Sequence, residues 1–384
     1  MTPEELALLE QHKPLLCFDR QYDYRPIAVE GAFGNAGNLL STRHGEMIAG
    51  VGASPALSLT VLSEYPEGLL ADASDALQLA PNVVGDARAM ELSEPFAGRL
   101  YGRVVPDDRR IWLQYWFWLY YNPKNLFGFG RHEGDWEMIQ IGLDGEGRPE
   151  VATYAQHGSG EARRFGRDRI ETRMLDGGEH PVVYVAALSH ASYFEAQAHP
   201  YVLGVDNPAG GGPDPWLPVE EFGPWVDWGG HWGRSDRGIP GILRKGPHGP
   251  AHQNPKWGNP GRWHGKMRRR KPRALLGRLM RWFGHATYPR TPKLAATADG
   301  GLCRVRFELD QSWRHRSRHL NLTVHDDEKR VLARRVIRRA DRLPTGSQDV
   351  VLHLPPGHRP HMVCGSTYNR MRQRSELVDV RLGG

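Results

Sequence analysis

Apolar and polar positions change spacing sharply along this chain. From Ile111 to Tyr121 the sequence IWLQYWFWLYY is apolar or aromatic at nearly every position. Read as a strand, it carries Trp112, Trp116, Trp118 and Tyr120 on one face and Leu113, Tyr115, Phe117, Leu119 and Tyr121 on the other. Such a strand belongs inside a sheet, covered on both sides. Asp135–Leu143 (DWEMIQIGL) alternates instead, which predicts the next strand, closed by a turn at DGEG. Val151–His157 and Val182–Leu188 are shorter strands. Helical spacing is almost absent between residues 100 and 190, so the pattern predicts antiparallel sheet packed as a sandwich. Residues 1–13 read differently: Thr2 is an N-cap, Pro3 suits the first helical position, and Glu5 completes a capping box.

Residues 200–265 are rich in Pro, Gly and Trp, with WGGHWG, GPHGP and KWGNP among them. This much aromatic surface predicts ordered loops that pack Trp rings, not a linker. Beyond them, KPRALLGRLMRWFG spaces Leu275, Leu276, Leu279, Met280 and Phe283 as one face of a basic amphipathic helix. Short strands then recur at Cys303–Leu309, His319–Val324, Val331–Ile337, Asp349–Leu354 and Leu377–Leu382. The expected architecture is mainly β. It comprises an antiparallel β-sandwich with long Trp/Gly/Pro-rich loops over residues 1–265, a basic linker or amphipathic helix over 266–298, and a small Ig-like or C2-like β-domain over 299–384.

Charge divides the chain at the same place. Residues 1–260 hold 22 Lys and Arg against 34 Asp and Glu, whereas residues 261–384 hold 28 against 10. An acidic body joined to a basic C-terminal region points to two functional parts. The 39% hydrophobic and 24% charged content excludes a disordered, collagen-like or coiled-coil chain. No run approaches the ~18 apolar residues of a membrane helix, and MTPEELALLEQHKP lacks the basic and apolar regions of a signal peptide. Three cysteines, Cys17, Cys303 and Cys364, do not make a disulfide scaffold, although Cys303 and Cys364 would pair if their sheets faced each other. The expected setting is cytoplasmic, at most peripheral to a membrane.

The richest chemistry lies in RHEGDWE, Arg131–Glu137. Asp135 and Glu137 are two residues apart on the predicted strand, so their carboxylates share a face that continues as Ile139, Ile141 and Leu143. Carboxylates at the rim of an apolar face require a cation, a bound metal or a raised pKa. Gly134 lets the chain bend so that His132 turns toward the same point. Oxygen-rich ligation with one imidazole suits magnesium, manganese or calcium better than zinc. The alternative is an ion pair with Arg131 or Arg163. His157 and His190 each end a strand beside small residues, where function tends to sit. GFGRHEG opens no helix and is not a dinucleotide fingerprint, and no G-x-S-x-G elbow is present.

The segment from YWFWLYYNP through FGRHEGDWEMIQI, then YAQHGSG, then PVVYVAALSHASYF, resembles the vacuolar protein sorting-associated protein 62 family and its bacterial and plant relatives. KPLLCFDRQYDYRPIAVE, GGHWG, GPHGP and KWGNP match the same pattern, so the resemblance spans residues 14–265. A more distant likeness is to the necrosis-inducing protein family, marked by a His followed by Asp-Trp-Glu. That likeness implies a β-sandwich holding a divalent cation and binding a sphingolipid headgroup. It further implies that His132, Asp135 and Glu137 are cation ligands and that His157 matches the following His-Gly segment. His190, in SHAS, belongs to the vacuolar pattern alone. Where the toxins supply another carboxylate upstream, this chain has Asn122, Lys124 and Asn125, which implies a weaker or water-completed site. Those toxins are secreted, so cytolysis does not carry over.

Two functions follow as expectations. The first is a divalent-metal-binding module that recognises a phosphate- or sugar-bearing lipid or glycan headgroup at an anionic membrane surface, aided by the basic segment 262–293. The second is a metal-assisted hydrolase of a phosphoester or glycan, with His157 or His190 as general acid or base. Nucleic-acid binding has only the electrostatic footprint RRRKPR behind it and no reading motif. The sequence does not fix the oligomeric state.

Overall fold

The N-terminal helix Pro3–His12 forms as its cap residues dictate. Thr2 Oγ1 accepts from Glu5 N at 3.2 Å while Glu5 Oε2 accepts from Thr2 N at 2.8 Å, closing the capping box over Pro3. The computed structural model describes residues 1–18, 25–34, 38–42, 47–50, 54–65, 68–72, 98–107, 109–122, 132–186, 189–196, 199–201, 204–206, 208, 217–233, 246–269, 291–309, 317–327, 331–344, 346–368, 375 and 378–382. They fall into two units, Met1–Cys17, Tyr24–Glu195 and Pro213–Lys271 in the first, and Phe18–Asp23, Ala196–Gly212 and Pro272–Gly384 in the second.

Strands are numbered along the chain. Those of the N-terminal half are β1 (Leu15–Cys17), β2 (Asn38–Ser41), β3 (Met47–Gly50), β4 (Leu69–Asp72), β5 (Leu100–Pro106), β6 (Ile111–Asn122), β7 (His132–Leu143), β8 (Pro149–Gln156), β9 (Ser159–Arg164), β10 (Thr172–Leu175), β11 (Gly178–Val185) and β12 (Ser192–Tyr193). They are followed by β13 (His199–Tyr201), β14 (Gly204–Asp206), β15 (Val219–Glu220) and β16 (His231–Trp232). The last seven are β17 (Lys293–Asp299), β18 (Leu302–Glu308), β19 (His319–His325), β20 (Val331–Arg338), β21 (Ser347–His353), β22 (Met362–Tyr368) and β23 (Val378–Arg381).

The first unit is organised by a six-stranded sheet in the order β15-β5-β6-β7-β8-β9, antiparallel except where β15 meets β5. The aromatic strand β6 is interior, and every residue from Trp112 to Asn122 is buried, as two apolar faces require. One face of β6 and β7 presents Trp116, Trp118, Tyr120, Trp136 and Met138 to Tyr101, Trp225, Trp228, Trp232 and Trp263. Trp136 and Trp225 stack with centroids 5.3 Å apart, and Trp232 meets Trp136 edge-on at 5.6 Å. The described parts of the Trp-rich loops are therefore core, because their rings fill one side of the sheet. A second sheet, β1-β11-β10 with β12 on β11, carries the strand that leads to His190. A third, β16-β4-β2-β3, ends on the strand pair His231–Trp232.

The second unit contains the hairpin β13-β14 and two sheets, β17-β18-β21 and β20-β19-β22-β23. Cys303, Val305 and Phe307 of β18 pack with Leu320, Leu322 and Val324 of β19, giving a sandwich core. The molecule is mainly β throughout, with several antiparallel sheets.

Several expectations are corrected in detail. β7 starts at His132, three residues earlier than the alternation alone indicates, and neither the polar β9 nor the largely exposed β10 was anticipated. β17 takes up the last six residues of the expected linker 266–298 and ends at Asp299, and the helix Pro260–Arg269 crosses the linker's start. The amphipathic segment 271–284 and most of RRRKPR lie outside the described residues. Cys303 and Cys364 form no disulfide, and both are buried. Cys303 points into the core, whereas Cys364 alternates with Val363 and with Gly365, whose added Cβ would meet core Leu294 and Leu322. Cys364 is therefore on the opposite face of its sheet.

Candidate functional site at the start of β7

Glu133, Asp135 and Glu137 occupy alternate positions of β7 and are 4%, 7% and 6% exposed. Across the ladder they face Tyr121, Leu119 and Phe117 of β6, and their face continues into buried Ile139, Ile141 and Leu143. Three carboxylates are thus drawn out of water along one strand end, where uncompensated charge is expensive.

Asp135 is the best-defined of the three. Its Oδ2 accepts from Asn122 Nδ2 at 2.8 Å and from His190 Nδ1 at 2.8 Å. Burial alone would raise its pKa, but the His190 hydrogen bond, the charges of His132 and His190, and the Asn122 hydrogen bond outweigh it, holding Asp135 below the usual carboxylate range. His190 arrives from the turn between β11 and β12. Its N–H donates to Ala186 O at 3.1 Å, Ala186 N–H donates to Ala191 O at 2.9 Å, and its φ of 55° is left-handed. That strained conformation aims the buried ring at Asp135.

His132 heads the strand. Its Nδ1 lies 2.7 Å from Gly134 O, and a carbonyl can only accept, so Nδ1 carries the proton and Nε2 is the lone-pair nitrogen of the neutral ring. Gly134 has φ 60°, and a Cβ there would sit 2.0 Å from Trp232 O. Gly233 answers from the other side with φ 112° and a would-be Cβ 2.1 Å from Glu133 O. The GGHWG backbone therefore lies directly on the start of RHEGDWE, and only glycines permit it. Trp232 N–H donates to Pro247 O at 2.8 Å, which ties GPHGP to the same brace.

Lys256, in KWGNP, was not singled out by its sequence. Burial pulls its pKa down, while the charges of Glu137 and Asp135 push it back up. Its Nζ donates to Gln253 Oε1 at 3.4 Å, and its carbonyl accepts from Gln114 Nε2 at 2.7 Å. Only the shared motif could have flagged it, because a lysine in a Pro/Gly loop reads as solvated surface. Arg163 is not the ion-pair partner considered for Asp135. Its guanidinium binds Glu161 at 2.8 Å and Glu195 at 3.2 Å. Arg131, Lys124 and Asn125 lie outside the described residues.

The structure thus unites Asp135 with His190 and Asn122 and places His132 and Glu137 on the same strand end. His157 sits elsewhere in character, exposed in the two-residue turn joining β8 to β9, with φ 54°. Among the described residues, no three His, Cys, Asp or Glu side chains converge closely enough to hold one ion.

No family model matches this sequence, and no curated protein does. Solved structures do show likeness. Necrosis and ethylene inducing protein 2 from the causal agent of cocoa's witches' broom disease is 12% identical, over 58% of this chain and 74% of that one, with a TM-score of 0.30. NLPPya in complex with mannosamine is 14% identical, over 56% and 72%, with a TM-score of 0.28. A hypothetical protein from Pyrococcus horikoshii OT3 is 13% identical, over 26% and 92%, with a TM-score of 0.19. The chain is similar to necrosis and ethylene inducing proteins at low identity.

Proposed function

We propose that this chain binds a divalent cation, magnesium, calcium or manganese, at the start of β7 and through it recognises a phosphate- or sugar-bearing headgroup at a membrane surface. The observation that carries the reading is how Asp135 is held. A buried carboxylate has its Oδ2 pinned by Asn122 Nδ2 and His190 Nδ1, each at 2.8 Å. Pinning one oxygen fixes the direction of the other, which is how outer partners orient a ligating carboxylate. His132 supports it with Nδ1–H tied to a carbonyl, the arrangement that makes Nε2 a ligand nitrogen. Glu137 shares the face. Magnesium keeps several waters and is held through one or two carboxylates, so for it Asp135, His132 and Glu137 need not close a cage. A headgroup phosphate or hydroxyl would replace one such water, and basic residues of 262–293 would each add about 1 kcal/mol near an anionic surface.

The test is calorimetric titration of stripped protein with each of the three metals, followed by pelleting with neutral and anionic vesicles in the metal that binds. Wild type is expected to bind near one equivalent, and Asp135→Asn and Glu137→Gln to lose it while remaining folded. No binding by wild type, or equal binding by Asp135→Asn, refutes the cation. Equal pelleting with both kinds of vesicle refutes the anionic surface.

A metal-assisted hydrolase of phosphoesters or glycans is the second reading, favoured by the Asp135–His190 hydrogen bond itself. A carboxylate on Nδ1–H orients an imidazole so that Nε2 can serve as general base. In that reading His190 is the base, and His157 a second candidate on its exposed turn. Turnover in a phosphoesterase and glycosidase panel that survives unchanged in His190→Asn and Asp135→Asn would remove it.

A further inference from the structure

One strand of the second unit combines unbalanced charge with an open backbone. Val331–Arg339 carries Arg334, Arg335, Arg338 and Arg339 and no Asp or Glu, and Arg342 follows in the next turn. β20 is the end strand of its sheet and pairs with β19, so the other side of its backbone meets no strand among the described residues. Arg335, Val336, Arg338, Arg339 and Arg342 are exposed, Val336 by 47%. The other sheet of the sandwich neutralises cations, Lys293 on Glu308 at 3.1 Å and Arg306 on Asp349 at 2.9 Å. Among the described residues no carboxylate forms an ion pair with Arg335, Arg338, Arg339 or Arg342.

The register sets where these arginines point. Leu320, Leu322 and Val324 of β19 lie opposite Ile337, Arg335 and Ala333, and all but the arginine build the sandwich core. Arg335 is thus on the core side yet exposed, so its guanidinium leaves past the open edge of the sheet. Arg338 and Val336 lie on the opposite side. Fully buried Ala340, whose N–H donates to Arg318 O at 2.8 Å, fixes the end of the strand.

We infer that the open edge of β20 receives an extended acidic segment of a partner protein as an added strand. An edge offers N–H and C=O groups that another strand satisfies along its whole length. The side chains of an added strand alternate between the two sides of the sheet, as Arg335 and Arg338 do, so carboxylates three residues apart meet both. A bilayer surface is planar and has no peptide groups for the ladder, so the geometry favours a polypeptide. The same arginines oppose pairing of β20 with its copy, where like charges would face each other. This surface does not depend on the site proposed on β7.

Fluorescence anisotropy of the full chain with a labelled peptide built on Glu-Val-Val-Glu tests this, its carboxylates spaced like Arg335 and Arg338. Wild type is expected to bind it saturably, and amide exchange along β20 to slow in the complex. Arg335→Glu and Arg338→Glu should each weaken binding roughly tenfold. Arg359→Glu, the same charge change at an exposed position outside the strand, should leave it unchanged. A peptide with proline in place of both valines keeps the charge, cannot form the ladder and should not bind. Equal binding of the proline peptide would overturn the added strand, as would an equal loss in Arg359→Glu. No binding by wild type would make the arginines edge guards only. Arginine-dependent pelleting with phosphatidylserine vesicles in place of peptide binding would assign the edge to a membrane, and self-association abolished by Arg338→Glu would assign it to a second copy; each of these three results overturns the proposal.

Discussion

Replacing His190 by Asn tests whether Asp135 is a desolvated, oriented carboxylate. Asn tolerates the left-handed backbone at position 190, φ 55°, so the turn itself should survive. The shorter side chain no longer reaches Asp135, which then keeps the hydrogen bond from Asn122. The side chains involved are 1% and 9% exposed. Removing one partner of a buried pair costs about 3–5 kcal/mol, while loss of one hydrogen bond to a charged group costs about 1.5–3 kcal/mol. With Asn122 still in place, about 3 kcal/mol is expected, a factor of roughly 150 in the folding equilibrium. Urea unfolding followed by tryptophan fluorescence is suited to this, because ten of the twelve tryptophans fall within the first unit. A double-mutant cycle with Asp135→Asn should return a coupling of about 1–3 kcal/mol. A loss below about 1 kcal/mol at unchanged m-value, or strict additivity in the cycle, would refute the reasoning. Asp135 would then be effectively solvated, and the fixed carboxylate on which the proposed cation site rests would be gone.

Gly134→Ala and Gly233→Ala should each cost more than about 3 kcal/mol in thermal unfolding, since left-handed backbone and a clash near 2 Å combine there. Gly147→Ala, with φ 77° and no neighbour within 4 Å, should cost only the backbone term of about 1–2 kcal/mol, and equal effects would undo the close-approach argument. Burial holds the His12 imidazole below its ordinary pKa, with the charge of His180 acting the same way. The unfolded chain therefore binds the extra proton first: stability is complete above about pH 6.5 and falls as pH drops through the folded-state value, by at most about 1.4 kcal/mol per pH unit. His12→Gln should flatten that decline in urea titrations at several pH values. All three thiols should resist a thiol reagent in the native protein and react only on unfolding, Cys303 most stubbornly because burial pushes it up to about 11; a fast native thiol would contradict the packing.

Local chemistry determined much of this molecule. The helix at Pro3–His12 follows from Thr2, Pro3 and Glu5 acting within one turn. The place of β6 follows from having two apolar faces, and the shared side of Asp135 and Glu137 from the period of an extended chain. The failures have equally physical reasons. β22 holds Gly365, Ser366 and Thr367, too weak a strand signal by itself, yet it is buried because the sheet partners on both sides supply its hydrogen bonds. β9, SGEARR, is half-buried and polar, and pairing with β8 rather than its own composition makes it a strand. The partner of Asp135 was beyond reach because His190 stands 55 residues away, in a turn between strands of a different sheet, and the alternative Arg163 was equally consistent with spacing. His157 and His190 look alike in sequence, each a histidine beside a small residue at the end of a strand. Only the packing of one turn against β7 buries His190 on a carboxylate and leaves His157 in solvent, because spacing sets which side a residue faces, and tertiary structure sets what it meets there.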